Sequence, residues 1–154
     1  MLSLVYLLQT FASDNSAPEF GDNAIQFVGS IDGGTGEAAH VDLSQIVSFE
    51  GNLKDVPISA FYWAREIGVT DFSIPATTGM QGTIEFLDTN PTPTVLQTET
   101  FGLISGVSNS DYFQYTTDAP VVYTGTVTSK SIRITIGGDF NGSYYVDGSF
   151  PWFN

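Results

Sequence analysis

Cysteine is absent from the 154 residues, and histidine occurs once, at position 40. The first absence excludes disulfide staples, thiolate metal sites and thiol nucleophiles. The second leaves one imidazole around which an acid–base or metal centre would have to be built. Cations are nearly as scarce: Lys54, Arg65, Lys130 and Arg133 face 17 carboxylates, for a formal net charge of −13. A nucleic-acid groove needs a stripe of cations to displace phosphate counterions, and adhesion to anionic lipid needs a similar cluster. Neither partner is expected. Long apolar runs are missing too. The best candidate, residues 1–12 (MLSLVYLLQTFA), falls short of the roughly 20 residues that span a bilayer. It has no cationic flank of the kind a secretory leader carries, so it is expected to be a buried strand or an extended arm.

What remains is apolar and polar-neutral. Hydrophobic residues make up 42% of the chain and aromatics 14%, with 12 Phe and 7 Tyr, which is enough apolar material for a core. Charged residues reach 14%, well under the usual share of roughly 25%. Ser, Thr, Asn and Gly fill the places Lys and Glu normally hold, and the acidity favours solubility over self-association. No linker, low-complexity tract or internal repeat divides the chain, so residues 1–154 are expected to form one domain. A domain of this length buries roughly 70% of its extended surface.

Hydrophobic alternation gives strands. Ile25, Phe27 and Ile31 alternate with polar residues and stop at Gly33-Gly34-Thr35-Gly36, while Val41, Leu43, Val47 and Phe49 share one parity. These two segments are expected to pair. Over 58–67 both parities are apolar, with Ile58, Ala60, Tyr62 and Ala64 on one side and Phe61 and Trp63 on the other. That pattern marks a central strand or an interface. Further strands are expected over 69–74, 83–88 and 95–104, with a flexible stretch at 78–82 and a turn at Asn90-Pro91-Thr92-Pro93. Tyr123 and Val127 oppose Thr124, Thr126 and Thr128, and Ile132, Ile134 and Ile136 oppose Ser131, Arg133 and Thr135, which reads as a hairpin closed by Ser129-Lys130. Gly137-Gly138 and Asn141-Gly142 offer the next reversal, before a strand over 143–147. Many short strands without a long amphipathic helix predict an all-β fold, an antiparallel β-sandwich of jelly-roll type, with a β-barrel as the alternative.

The residues offer little chemistry. His40 has no Gly-x-Ser-x-Gly elbow near it and reads as a surface or edge histidine. The Gly33-Gly34-Thr35-Gly36-Glu37 loop lacks a lysine and is flanked by Asp32 and Glu37, which would repel a phosphate. Asp139-Phe140-Asn141-Gly142-Ser143 with Asp147 is the most metal-like stretch, but its sixth and twelfth places hold Tyr144 and Phe150 where a calcium loop needs Gly and Glu. Glu85 and Glu99 illustrate that any two strand carboxylates could converge as a glycosidase pair, which sequence alone cannot show. No catalytic, cofactor or metal residue is assigned, and a non-enzyme is expected.

The ends attract more interest. Leu2, Leu4, Tyr6, Leu8 and Phe11 would be an aggregation hazard if exposed. Phe150, Trp152 and Phe153 are expected to lie beyond the last strand, packed into the core, stacked on sugars, or serving as a C-terminal anchor over residues 149–154 in another subunit. Both groups are candidate interface residues. The chain is similar in size and composition to small β-rich phage accessory proteins. A structural subunit of a virion follows as the expectation: a capsid decoration (cement) protein or tail component, homo-oligomeric with a trimer as the preferred form, docked on a capsid or tail protein after assembly in the host cytoplasm. The alternative is an extracellular, lectin-like carbohydrate-binding module that stacks sugars on Trp63, Trp152 or surface tyrosines.

Overall fold

The computed structural model describes residues 25–29, 40–67, 79–104, 112–139 and 142–153. Among them are nine strands in two antiparallel sheets: β1 (Ile25–Gly29), β2 (His40–Ser48), β3 (Pro57–Ile67), β4 (Gly79–Leu87), β5 (Val95–Ile104), β6 (Phe113–Thr116), β7 (Val121–Val122), β8 (Ser131–Asp139) and β9 (Gly142–Phe153). One sheet runs β1-β9-β3-β6, with β7 also on β3, and the other runs β2-β8-β4-β5. The pairs β1/β9, β2/β8, β3 with β6 and β7, and β4/β5 are the rungs of one long antiparallel ribbon. Rolling that ribbon over brings β9 against β3 and β8 against β4, which is the jelly-roll wrap. The described strands form two open sheets rather than a closed barrel.

The core lies between the sheets. Ile58, Ala60, Tyr62 and Ala64 of β3 and Tyr144 and Val146 of β9 face Ile84 and Phe86 of β4, Phe101 and Ile104 of β5, and Ile132, Ile134 and Ile136 of β8. Aromatic rings set the spacing. Tyr62 stacks on Tyr115 at 5.3 Å and meets Phe101 edge-on at 5.9 Å, while Phe86 stacks on Tyr123 at 5.3 Å. The buried Tyr62 hydroxyl donates to the Gly102 carbonyl across the sandwich. Burial pushes its pKa up, so it remains a donor. Gly102 has φ 60°, and a Cβ there would stand 2.7 Å from the Tyr115 Cβ. Only glycine lets β5 approach β6 at this point. Gln97 of β5 ties the sheets a second time by donating to the Val122 carbonyl of β7 at 3.0 Å.

The doubly apolar 58–67 segment is central, between β9 and β6, as its pattern implied. The turn at 90–93 is held by Asp88, which accepts from the Asn90 and Thr94 backbone amides, both at 3.1 Å, and from both side chains. The Thr94 hydroxyl leads these bonds in holding the Asp88 carboxyl below its ordinary range.

Four expectations are corrected. β1 and β2 do not pair: β1 lies on β9 and β2 on β8, in different sheets. The 123–130 segment is not a strand of a hairpin. Gly125 breaks its alternation, the Tyr123 hydroxyl donates to the Val127 carbonyl at 2.8 Å, and the segment packs on the 49–55 loop through bonds such as Leu53 N to Ser129 O at 2.8 Å. Gly137-Gly138 is not a reversal. β8 runs through both to Asp139, and the missing side chain at 138 admits the Gly79 carbonyl of β4. Residues 79–82, expected to be flexible, are the first part of β4, with Met80 fully buried. The expected strand at 69–74 lies outside the described residues.

Candidate functional site

On the outer face of the β2-β8-β4-β5 sheet, strand register aligns side chains in rows. Ser44 pairs with Thr135, Thr135 with Thr83, and Thr83 with Thr100, so four hydroxyls cross the whole sheet. One row along, Ile46, Arg133, Glu85 and Thr98 are aligned in the same way, and on the other side Asp42, Gly137 and Gln81 form the next row. Small side chains in one row and a glycine in the middle of the next leave a hollow. The result is a depression of about 370 Å³ lined by His40, Asp42, Ser44, Thr83, Glu85, Arg133 and Thr135.

Two charge pairings stiffen it. Arg133 Nε donates to Glu85 Oε2 at 2.5 Å, from adjacent register positions on β8 and β4, and this bond raises the arginine's already high pKa. His40, the first residue of edge strand β2, places Nδ1 2.7 Å from Asp139 Oδ1 and Nε2 2.9 Å from Asp42 Oδ2. Both nitrogens face carboxylates, so the doubly protonated ring satisfies both bonds. The bonds to Asp139 first and Asp42 second raise the His40 pKa above 6.5. A group whose folded pKa is raised contributes stability that is full below its unfolded pKa and lost as pH rises through the folded value. The His40 ring signal, followed by NMR, is therefore expected to titrate above 6.5, and Asp139→Asn to bring the midpoint down. A midpoint at or below 6.5 in the parent protein would show that the bridge does not form.

This geometry bears on catalysis and metal binding. The imidazole stands between its two carboxylates, so the three groups do not converge on one point, and no cluster of three metal-ligating side chains occurs among the described residues. One oxygen of the Glu85 carboxylate, Oε2, is bonded to Arg133.

No family model matches the sequence, and no curated protein resembles it significantly. Solved structures do share its architecture. VP2 of infectious bursal disease virus, in a subviral particle, aligns with a TM-score of 0.62 at 12% identity over 99% of this chain and 32% of that one. The enzymatically active domain of tailspike protein 4 of bacteriophage CBA120 aligns at 0.59 and 12% identity, over 100% of this chain and 19% of that one. The C-terminal family 22 carbohydrate-binding module of Clostridium thermocellum Xyn10B aligns at 0.51 and 8% identity, over 97% and 79%. What they share is the fold. The chain spans a third or less of the two viral proteins.

The jelly roll also locates the residues singled out from sequence. Leu2, Leu4, Tyr6, Leu8 and Phe11 lie outside the described residues. Residues 149–153 are not beyond the last strand but inside it: Phe150 pairs with Phe61, Trp152 with Ser59 and Phe153 with Ile58, all on central strand β3. Trp63, half-buried, belongs to that same five-stranded sheet, whereas the polar depression lies on the other sheet. Sequence reasoning missed Arg65, whose guanidinium lies 5.5 Å from the Tyr112 ring and 5.2 Å from the Tyr145 ring, within reach of both π faces. It also missed the exposed apolar residues on strand edges. Leu103 (55% exposed) and Val95 (42%) lie on β5, Phe113 (48%) on β6 and Ile46 (50%) on β2, and all three strands end their sheets. β5 and β6 meet at Gly102 and Tyr115, so Leu103 and Phe113 share one flank of the sandwich.

Proposed function

We propose that the chain is a non-enzymatic assembly domain that binds neighbouring protein subunits through the edges of its jelly roll, as a component of a virus particle such as a capsid decoration protein or a tail subunit. The observation that carries this reading is the flank formed by β5 and β6. Soluble sheets blunt their edges with lysines, prolines or covering loops, because an open edge offers unpaired amides and carbonyls to any passing strand. Among the described residues, this flank exposes the apolar side chains of Leu103 and Phe113, with Val95 further along β5. Apolar and aromatic side chains on strands that end their sheets form the kind of surface that interface cores use. The fold supports the same reading, since it occurs within viral capsid and tailspike proteins, as does the low charge of the surface. Leu2, Leu4, Tyr6, Leu8 and Phe11, together with Phe150, Trp152 and Phe153, belong to the proposed contact set.

Sedimentation velocity tests the proposal. The parent protein is expected to form a discrete homo-oligomer, with a trimer as the preferred form, and the double substitution Leu103→Lys with Phe113→Lys to weaken association by about tenfold or more while leaving the circular dichroism spectrum unchanged. A parent protein that stays monomeric at high concentration and binds no capsid or tail lattice would refute it.

A further inference from the structure

The geometry points to a second binding surface: the polar depression on the β2-β8-β4 face is a site for a neutral saccharide. Its chemistry selects the ligand class. The hydroxyls of Ser44, Thr135 and Thr83 can each donate and accept, and their strands hold them in register. Around them, the Nε–Oε2 bond leaves the terminal nitrogens of Arg133 as donors and the second oxygen of Glu85 as an acceptor. Asp42 keeps its second oxygen as well, since only Oδ2 meets His40.

A surface on which donors and acceptors alternate at fixed spacing matches vicinal hydroxyls, which also donate and accept. Charge excludes other occupants. The carboxylates of Glu85, Asp42 and Asp139 stand beside the Arg133 guanidinium and the His40 imidazole, so a small anion meets three carboxylates and a cation meets the arginine. Ile46, half exposed and aligned with Arg133, offers an apolar edge for the C–H face of a sugar ring. The volume of about 370 Å³ lies at the lower end of the range of roughly 300–1,000 Å³ found for small-molecule sites. No Phe, Tyr or Trp is among the residues lining it. Affinity should therefore be modest, with a Kd of about 1 mM. This site lies away from the β5/β6 flank and does not depend on the assembly reading.

The test is amide chemical-shift mapping of the full chain with the methyl glycosides of glucose, galactose, mannose and N-acetylglucosamine, each titrated separately. The expected result is saturable shifts with at least one glycoside, confined to residues 40–46, 83–85 and 133–135. Thr135→Val and Arg133→Met should each weaken binding by about tenfold with an unchanged urea midpoint. Should Arg133→Met disturb folding, Thr135→Val, which keeps the shape of the side chain, decides alone. Absence of saturable shifts with all four probes, shifts mapping elsewhere, or indifference to Thr135→Val would overturn the inference. Persistence of the shifts in the Leu103→Lys, Phe113→Lys protein would keep this site separate from the assembly surface.

Discussion

Gly138→Ala is expected to destabilise the protein by about 3 kcal/mol, lowering its melting temperature by about 6–12 °C. The methyl group would arrive 1.8 Å from the Gly79 carbonyl oxygen and 2.9 Å from its carbon. Both are backbone atoms of β4, whose register with β8 pairs Gly79 with Asp139 and Met80 with Gly138, so no side chain can swing aside. Relief requires the two strands to separate where Met80 is fully buried. Gly51→Ala is the control, since nothing lies within 4 Å of a Cβ there, and its midpoint should scarcely move. Chemical denaturation of the two variants measures the contrast. Equal midpoints would mean that β4 and β8 do not meet at this register.

Deleting residues 149–154 is expected to have a larger effect still, abolishing cooperative unfolding. The deletion removes the pairs Tyr62↔Ser149, Phe61↔Phe150, Ala60↔Pro151, Ser59↔Trp152 and Ile58↔Phe153, about half of the ladder between the two central strands. Ile58, Ala60 and Tyr62 are core residues on the strand so exposed. A domain whose whole stability is of the order of 5–15 kcal/mol does not survive the loss of that much central pairing. The deletion is therefore a test of folding, and a role for the C-terminal aromatics in assembly has to be probed by Trp152→Ser, which leaves the backbone in place. Sharp thermal unfolding in the truncated chain would contradict the β3–β9 pairing.

The sequence was informative where one strand's own pattern carried the message. The alternation of Ile132, Ile134 and Ile136 and the doubly apolar 58–67 segment follow from burial on one or both faces, and that burial is written into residues two apart, whereas β5 is bounded by its apolar ends despite an irregular parity. What it could not carry was pairing between distant segments. β1 meets β9 and β2 meets β8 because the ribbon rolls over, and nothing in residues 25–49 favours that over a local hairpin. The glycines misled for a related reason: Gly137-Gly138 has the composition of a turn, yet position 138 serves a close approach of backbones and position 137 pairs with Asp42 and Gln81 in the middle of the sheet. The aromatic C-terminus read as a tail because its partner, β3, lies far earlier in the chain.

The depression was invisible for the same reason. Ser44, Thr83 and Thr135 are ordinary polar members of three separate alternating patterns, and only the register places them in one row. His40 was legible as an edge histidine, but not its bridge to Asp139, a residue 99 positions away. Leu103 and Phe113 carried no signal either, since an apolar residue in a strand is expected to be buried until the topology shows that its strand is an edge.

Hydrogen–deuterium exchange at low and high protein concentration tests most directly whether the β5/β6 flank is a contact surface between protein subunits, because an edge strand that acquires a neighbour hides its amides. Amides within Val95–Ile104 and Phe113–Thr116 should exchange markedly more slowly at high concentration, while those of β8, already paired on both sides, stay constant. Identical exchange of the two edge strands at both concentrations, in a protein that also binds no capsid or tail lattice, would contradict the account.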